Sequence, residues 1–193
     1  MPYFTFSTLG DTDHEEYCFS DNTPDGIDIR AYRLSKGLAM GTDYPADSGE
    51  VRLRLGEDYP GLKRASFIGN TGGFLAFDRK TADVILSHNV GRVERLPFVL
   101  LDHKGRLYSR DYVFLNPLER VDCLNLDLSV VRRAKDGEIR DIKKLVLKAV
   151  ATPELDLFRL GERPRIYLFS SVLVAALKAV KITNVVFTPV ELR

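Results

Sequence analysis

The fold of the C-terminal part is set by one stretch, Arg165-Ile-Tyr-Leu-Phe-Ser-Ser-Val-Leu-Val-Ala-Ala-Leu-Lys-Ala-Val180, in which a strand pattern passes into a helix pattern. Ser170 or Ser171 can cap the helix, because a side-chain oxygen there accepts a hydrogen bond from an unpaired N–H of the first turn. The apolar stripe of this helix consists of Phe169, Val172, Leu173, Ala176, Leu177 and Val180. With the apolar runs at 157–160 and 182–190, the stretch predicts the order strand, strand, helix, strand.

Upstream of this stretch, short patterns predict further strands and one more helix. Alternating apolar and polar residues predict strands at 3–7 and 51–55. Asp78 is expected to cap a helix over 79–88, and residues 69–73 are expected to form a loop. Two hairpins are predicted, over 96–115 with a turn at 102–105 and over 124–147 with a turn at 135–138. Since strands outnumber helices, we predict the fold class α+β, with a mainly antiparallel sheet and a few helices packed on it.

Length and composition indicate one globular domain. The chain has 193 residues, of which 45% are hydrophobic, and this is enough to bury a core over residues 1–193. Cys18 and Cys123 lie far apart, which favours a reducing compartment over a disulfide scaffold. The first residues lack a signal-peptide pattern, and the longest mostly apolar run, 166–177, is far shorter than the ~20 residues of a membrane helix. We therefore expect a cytoplasmic protein without a membrane span.

The charge of the chain is distributed unevenly. Residues 1–50 hold ten acidic and three basic residues, a balance of −7, so the remainder carries +8 of the total of +1. Such asymmetry is typical of an interaction surface, although solvated acidic loops would produce the same composition. The acidic residues predicted to contact a partner are Asp11, Asp13, Glu15, Glu16, Asp21, Asp25 and Asp28.

Candidate catalytic sets are weak, and each has a simpler interpretation. A metal-dependent hydrolase or nuclease would require Asp122, Asp127, Asp141 and Lys143 around one metal site. The short DxK triplet among them also occurs at 102–104, so chance supplies it easily. A cysteine nucleophile would pair Cys123 with His103 or His88, but the apolar surroundings of this cysteine favour a buried, inert thiol. We predict no catalytic residue, metal site or cofactor.

The second predicted hairpin is moderately basic. Residues 132–148, called the basic hairpin below, hold seven basic residues: Arg132, Arg133, Lys135, Arg140, Lys143, Lys144 and Lys148. A nucleic-acid-binding regulator could use this surface on a phosphate backbone. The hairpin lacks the aromatic residues that stack on bases, so direct nucleic-acid binding is not expected.

Three segments, in order, resemble a bacterial immunity family of polymorphic toxin systems, immunity protein family eleven. The first is Val113-Phe-Leu-Asn-Pro-Leu-Glu-Arg-Val-Asp-Cys-Leu-Asn-Leu-Asp-Leu-Ser129, and the second is Leu157-Phe-Arg-Leu160. The third is the capped helix followed by Ile182-Thr-Asn-Val-Val-Phe-Thr-Pro-Val190. Asn125 stands where the family usually has an acid, Asn184 where it usually has glycine, and Ser171 where the helix usually opens with Glu. The resemblance covers about residues 96–190, and we identify no resemblance for the acidic portion 1–95.

This resemblance implies a protein that binds and neutralises a cognate secreted bacterial toxin, encoded by an adjacent gene. It implies no enzymatic activity and no cofactor. In this interpretation a nuclease is one candidate for the toxin, because an acidic surface would be steered to the basic cleft of such an enzyme. The oligomeric state is left open. The matched positions themselves are expected to be structural, with Phe158 and Phe187 in the core and Asp122 and Ser129 at turns or caps.

Overall fold

The computed structural model describes residues 1–9, 15–46 and 49–193. Strands make up 38% and helices 17% of the protein, so the predicted α+β class is confirmed. The helices are α1 (Tyr32–Lys36), α2 (Arg79–Leu86) and α3 (Ser171–Ala179), and 3-10 turns occupy Asp28–Ala31, Gly41–Asp43 and Ala149–Ala151. The strands are β1 (Tyr3–Ser7), β2 (Phe19–Ser20), β3 (Arg52–Arg54), β4 (Gly69–Asn70), β5 (Leu75–Asp78), β6 (Val93–Leu101), β7 (Leu107–Pro117), β8 (Arg120–Val121), β9 (Val130–Arg133), β10 (Ile139–Lys144), β11 (Val146–Leu147), β12 (Leu157–Leu160), β13 (Tyr167–Ser170) and β14 (Val186–Leu192).

The strands form two larger sheets and two short ribbons. The six-stranded sheet has the order β11-β14-β1-β13-β12-β8, and the four-stranded sheet has the order β3-β6-β7-β5. The ribbons are β2 with β4 and β9 with β10. In both larger sheets some neighbours are parallel: β11 with β14, β8 with β12 and β3 with β6. The prediction of a mainly antiparallel sheet is therefore wrong. The parallel pairs join strands that are distant in sequence, and local turn patterns carry no information about them.

The locally coded elements agree with the sequence. Both predicted hairpins form, as β6–β7 and β9–β10, and the strand at 3–7 has the expected bounds. Asp78 caps α2 by accepting a hydrogen bond from Thr81 N at 2.6 Å, and Ser170 caps α3 by accepting one from Leu173 N at 3.1 Å. The predicted loop at 69–73 is wrong at its first two residues, which pair with β2 as β4.

Three clusters of buried apolar residues cover the faces of the two larger sheets, and one of these clusters lies between the sheets. One face of the four-stranded sheet packs on the N-terminal third through residues such as Leu34, Leu53 and Phe98. Its other face packs, together with α2 and α3, on the six-stranded sheet. The far side of the six-stranded sheet is covered around Tyr3 and Phe158 by chain that includes the β9–β10 ribbon. Because apolar residues cover both of its faces, the four-stranded sheet is buried on both sides along most of β5 and along residues 112–117 of β7.

The buried face of α3 differs from the predicted stripe. Leu173 and Leu177 are buried as expected, but Val172 is 53% exposed and Val174 is buried in its place. The periodic pattern allowed either choice, because α3 is apolar around most of its circumference. Packing against α2 decides which side faces inward.

Substitutions at Asp78 test whether its side chain stabilises the start of α2. Replacing Asp78 by alanine leaves the N–H of Thr81 without its partner, so we expect a loss of about 1 kcal/mol in the free energy of unfolding, measured in urea. Asp78→Ser keeps an oxygen acceptor and serves as the matched control, with an expected loss of only a few tenths of a kcal/mol. Equal losses for both variants would contradict the capping role.

Candidate functional site

A buried arginine connects the N-terminal third to the rest of the protein. Arg159 on β12 is 0% exposed. Its guanidinium donates five hydrogen bonds, from Nε to Pro117 O (2.7 Å), from Nη1 to Pro164 O (2.9 Å) and Ser35 O (3.3 Å), and from Nη2 to Leu34 O (2.6 Å) and Asn116 Oδ1 (2.9 Å). The ring of Tyr167 lies 4.4 Å from the guanidinium carbon. Burial lowers the pKa of Arg159, and the nearby Tyr167 opposes this shift.

The charge of Arg159 is balanced by oxygen dipoles and, through one amide, by Glu94. In the described part of the chain no carboxylate forms an ion pair with Arg159. Asn116 accepts from Arg159 and donates through Nδ2 to Glu94 Oε2 at 2.8 Å. Glu94 in turn accepts hydrogen bonds from the backbone N–H groups of Met40 and Gly41, at 2.9–3.0 Å. The network therefore holds both the end of α1 and the chain that follows it.

Gly37, which ends α1, is required for this arrangement. Its φ of +63° lies in the left-handed region, which favours glycine. A Cβ added at this position would also lie 2.6 Å from Arg159 Cδ and 2.7 Å from Arg159 Nε. The backbone of Gly37 therefore packs against the Arg159 side chain at a distance that leaves no room for a Cβ atom.

On the outer side of this network lies an open cleft of about 430 Å³, called the α1 cleft below. Its lining includes Asp21, Pro24, Phe74 and Arg165 from the surrounding loops. The helical segment contributes Ile29, which is 86% exposed, and Tyr32, which is 57% exposed. Large apolar side chains at such exposure, beside a cleft and an acidic group, are typical of protein-binding surfaces.

The structure brings some of the predicted acidic residues to this cleft and leaves others apart. Asp21 lines it, and the backbone of Asp25 pairs with that of Arg52 just beyond Pro24. Glu16 instead pairs with Lys63 at 3.8 Å, and neither Glu15 nor Glu16 is among the described residues that line the cleft. Asp11 and Asp13 lie outside the described residues, and Asp28 is described only by its backbone at the start of a 3-10 turn.

The carboxylates of the nuclease alternative do not gather into a site. Among the residues that the structure describes, no three His, Cys, Asp or Glu side chains are placed to hold one metal ion. Asp141 pairs with Arg132 at 4.0 Å, while the backbone N–H of Asp127 donates to Asn125. Lys143 faces a different cavity, next to β1. The arrangement that this alternative requires is absent from the described part of the chain.

The cysteines are buried and separate from the histidines. Cys18 and Cys123 are both free and both 0% exposed. Burial raises the pKa of Cys123 to about 12 and that of Cys18 to about 11. His103 contacts the carbonyl of Tyr59, and His88 lies 3.6 Å from Asp156. In the part of the chain that the structure describes, His88 and His103 contact groups other than Cys123.

The basic hairpin carries fewer unpaired cations than its composition implies. Arg132 pairs with Asp141, Lys144 pairs with Glu191 at 3.4 Å, and Arg133 donates to Gly137 O at 2.8 Å. Its apolar residues Val131, Ile139 and Ile142 pack on the core beneath. One face of the ribbon is therefore structural, and the charges lie on its outer side.

Sequence reasoning missed the groups that shape the site. Arg159 lies in an apolar strand between phenylalanine and leucine, and an arginine in such a strand is the one available signal of a buried polar network. Ile29 and Tyr32 look like ordinary core residues of a helix. They are exposed because Arg159 binds the carbonyls of Leu34 and Ser35 and so fixes which side of the segment faces the core. No local sequence pattern contains this information.

Polar contacts hold the three stretches that carry the family resemblance, and two of the stretches contact each other directly. Arg159 of the second stretch binds Asn116 and Pro117 of the first. Asn184 of the third has a φ of +63°, which explains why asparagine can stand where glycine is usual, and its Nδ2 donates to Phe67 O at 2.9 Å. Asn125 caps the turn that follows it by accepting from Asp127 N and Leu128 N. These positions are structural, as expected.

A family model described as the immunity protein family (Imm11) matches residues 81–192, more than half of the chain. The chain belongs to the Imm11 immunity protein family. The match extends upstream of the stretch identified from sequence, so that most of α2 and the whole β6–β7 hairpin are included. No curated protein matches the chain. In the described residues, no helix is long and apolar enough to cross a membrane.

Glycine-to-alanine variants separate backbone strain from the contact with Arg159. Gly105 also has a left-handed φ, +75°, but its added Cβ would meet nothing within 4 Å. We expect Gly105→Ala to lower the free energy of unfolding by about 1 kcal/mol through strain alone. Gly37→Ala should cost about 3 kcal/mol or more, because it also displaces the buried guanidinium. Equal urea midpoints for the two variants would show that Arg159 moves without cost.

The two thiols provide a test of the inert-cysteine interpretation. With pKa values of about 11 and about 12, both groups remain protonated at pH 8, and only thiolate reacts. We expect Ellman's reagent at pH 8 to modify neither cysteine in the native protein and both after unfolding in guanidinium. Rapid modification of Cys123 in the native protein would instead mark it as an accessible nucleophile.

Proposed function

We propose that this protein binds a cognate secreted bacterial toxin in the cytoplasm and neutralises it by occluding its active site, without enzymatic activity of its own. Membership of the Imm11 immunity protein family is the observation that carries this proposal. The toxin is expected to be encoded by an adjacent gene. A cofactor plays no part in the proposed mechanism.

The proposed toxin-binding surface is the α1 cleft and its rim. Ile29 and Tyr32 supply exposed apolar area beside Asp21 and Asp25, and aromatic residues of this kind dominate the energy of many interfaces. The Arg159 network holds the segment behind them by its backbone. A contact surface that is ordered before binding loses less entropy when the partner docks.

Acidic side chains extend this surface electrostatically. If the toxin is a nuclease, its cleft must be basic in order to bind phosphates, and an acidic protein surface would be steered toward it. The remaining predicted contact residues, Asp11, Asp13, Glu15, Glu16 and Asp28, belong to the proposal through their charge. Since Glu16 is already paired with Lys63, we assign the larger effect to Asp21 and Asp25.

The first experiment that tests the proposed function is co-expression of the protein with the toxin in bacteria. The toxin domain encoded beside this gene should arrest growth when expressed alone, and the full chain should restore growth and co-purify with an active-site-inactivated toxin. Growth arrest that persists despite soluble co-expressed protein, with no complex by gel filtration, would refute the proposed function. Degradation of a substrate by the protein itself would favour the hydrolase alternative.

Variants at the α1 cleft locate the binding surface. We expect Ile29→Ala and Tyr32→Ala each to raise Kd for the inactivated toxin by about tenfold or more, because each removes buried apolar contact. Val150→Ala is the matched control, since Val150 is 99% exposed and lies away from this cleft. Asp21→Lys with Asp25→Lys should slow association at low salt and flatten its salt dependence.

The charge-reversal variant at Asp21 and Asp25 has its own control. Asp136→Lys with Glu138→Lys makes the same change in net charge at the turn of the β9–β10 ribbon and should leave the association rate nearly unchanged. Thermal unfolding of each variant checks that the fold is intact. If the Ile29 and Tyr32 variants and the Asp21 and Asp25 variant all bind the toxin with wild-type kinetics, the binding surface lies elsewhere on the protein.

A further inference from the structure

Next to the α1 cleft, two neighbouring strands of the six-stranded sheet separate. The antiparallel ladder between β1 and β13 runs through Tyr3↔Ser170 and Phe4↔Phe169 and then stops. Continuing the same register would pair Phe6 with Tyr167, but that pair is not formed. On its other side β1 stays paired with β14 as far as Ser7↔Val186. The sheet therefore opens at one end, in a place where β1 is otherwise an interior strand.

A cavity of about 390 Å³ occupies this opening, and we call it the β1–β13 cavity. Residues 5–8, at the end of β1, line one side and residues 165–167 line the other. Its apolar lining consists of four aromatic and three aliphatic residues: Phe6, Phe67, Phe74, Tyr167, Ile142, Leu145 and Ile166. Phe67, Phe74 and Tyr167 are at most 4% exposed, so these rings form a fixed floor. A cavity of this size and lining accepts one large side chain with its backbone.

Two cations stand at the cavity. Lys143, from β10, and Arg165, from the turn before β13, both line it and both are exposed. Neither forms an ion pair in the described part of the chain, although other cations of the same ribbon do. Together, the unpaired positive charge and the aromatic floor are complementary to an anionic group attached to an apolar body.

The β1–β13 cavity is adjacent to the α1 cleft, because Phe74 and Arg165 line both of them. Asp21 lines only the α1 cleft and Lys143 lines only the β1–β13 cavity, while Arg165 lies at the boundary between the two. A partner that covers both therefore meets negative charge at one end and positive charge at the other.

We infer that the β1–β13 cavity receives an acidic segment of the toxin, in which a glutamate or aspartate lies beside an aromatic or large aliphatic residue. The carboxylate binds between Arg165 and Lys143, and the apolar side chain enters the aromatic cavity. The exposed backbone edge of β1 at Phe6 is available to bond the segment's own backbone. This inference rests on the proposed function and adds a specificity element of opposite sign to the acidic surface.

The test uses the full chain and the inactivated toxin domain encoded beside its gene. We expect Arg165→Glu with Lys143→Glu to weaken binding by about 100-fold, because both cations are replaced by charges that repel the carboxylate. Arg165→Gln with Lys143→Gln removes charge without reversing it and should weaken binding by about tenfold. Lys80→Glu with Lys178→Glu, at exposed positions on α2 and α3, has the same net charge as the reversed variant and should bind like wild type.

Amide hydrogen exchange adds a readout of the cavity itself. In the complex, exchange at residues 5–8 and 165–167 should slow relative to the free protein, because a bound segment covers the open end of the sheet. The outcomes separate the two proposals. If wild type does not bind the toxin, the proposed function fails. If wild type binds, but both charge variants bind equally well and exchange at 5–8 is unchanged, the proposed function stands and the β1–β13 cavity is not its site.

Discussion

The rest of the structure depends on the burial of one guanidinium. Arg159 leaves water completely, and a buried charge without partners would cost several kcal/mol. Its five donors are all satisfied, mainly by backbone carbonyls from α1, the end of β7 and the turn before β13. Backbone carbonyls can be held in place only if their segments are fixed, so the arginine and the segments around it order one another. Gly37 permits this approach because it has no side chain.

This constraint connects the two parts of the chain that differ most in sequence character. The region matched by the immunity family begins at residue 81, whereas the acidic segment and α1 precede it. Arg159, Asn116 and Glu94 belong to the matched region, and they hold the backbone at 34–41. A family-like framework thus positions a segment that lies outside the family match. Such a division is suited to a binder, because the framework can remain while the presented side chains vary.

The charge pattern has a more specific meaning in three dimensions than in sequence. The balance of −7 over residues 1–50 suggested one acidic surface. In the structure, Glu16 is offset by Lys63, and Arg33 pairs with Asp43, so only part of the acidic charge lies free beside the α1 cleft. Unpaired positive charge lies close by, at Lys143 and Arg165. The proposed interface is consequently bipolar and includes a large apolar component.

Short-range patterns determined the cap at Asp78, a cap of α3 at Ser170 or Ser171, both hairpins and the α+β class, because capping, turn geometry and alternation act over a few residues. The family was indicated by the resemblance of three ordered segments, and the family model confirmed it. The tertiary structure decided the parallel strand pairs, the buried side of α3 and the β4 pairing, since these depend on partners far away in the chain. It also decided the candidate site. Ile29 and Tyr32 are exposed, and β1 separates from β13, only because distant groups compete for the same space and hydrogen bonds. The sequence of any one segment does not reveal which distant groups it will contact.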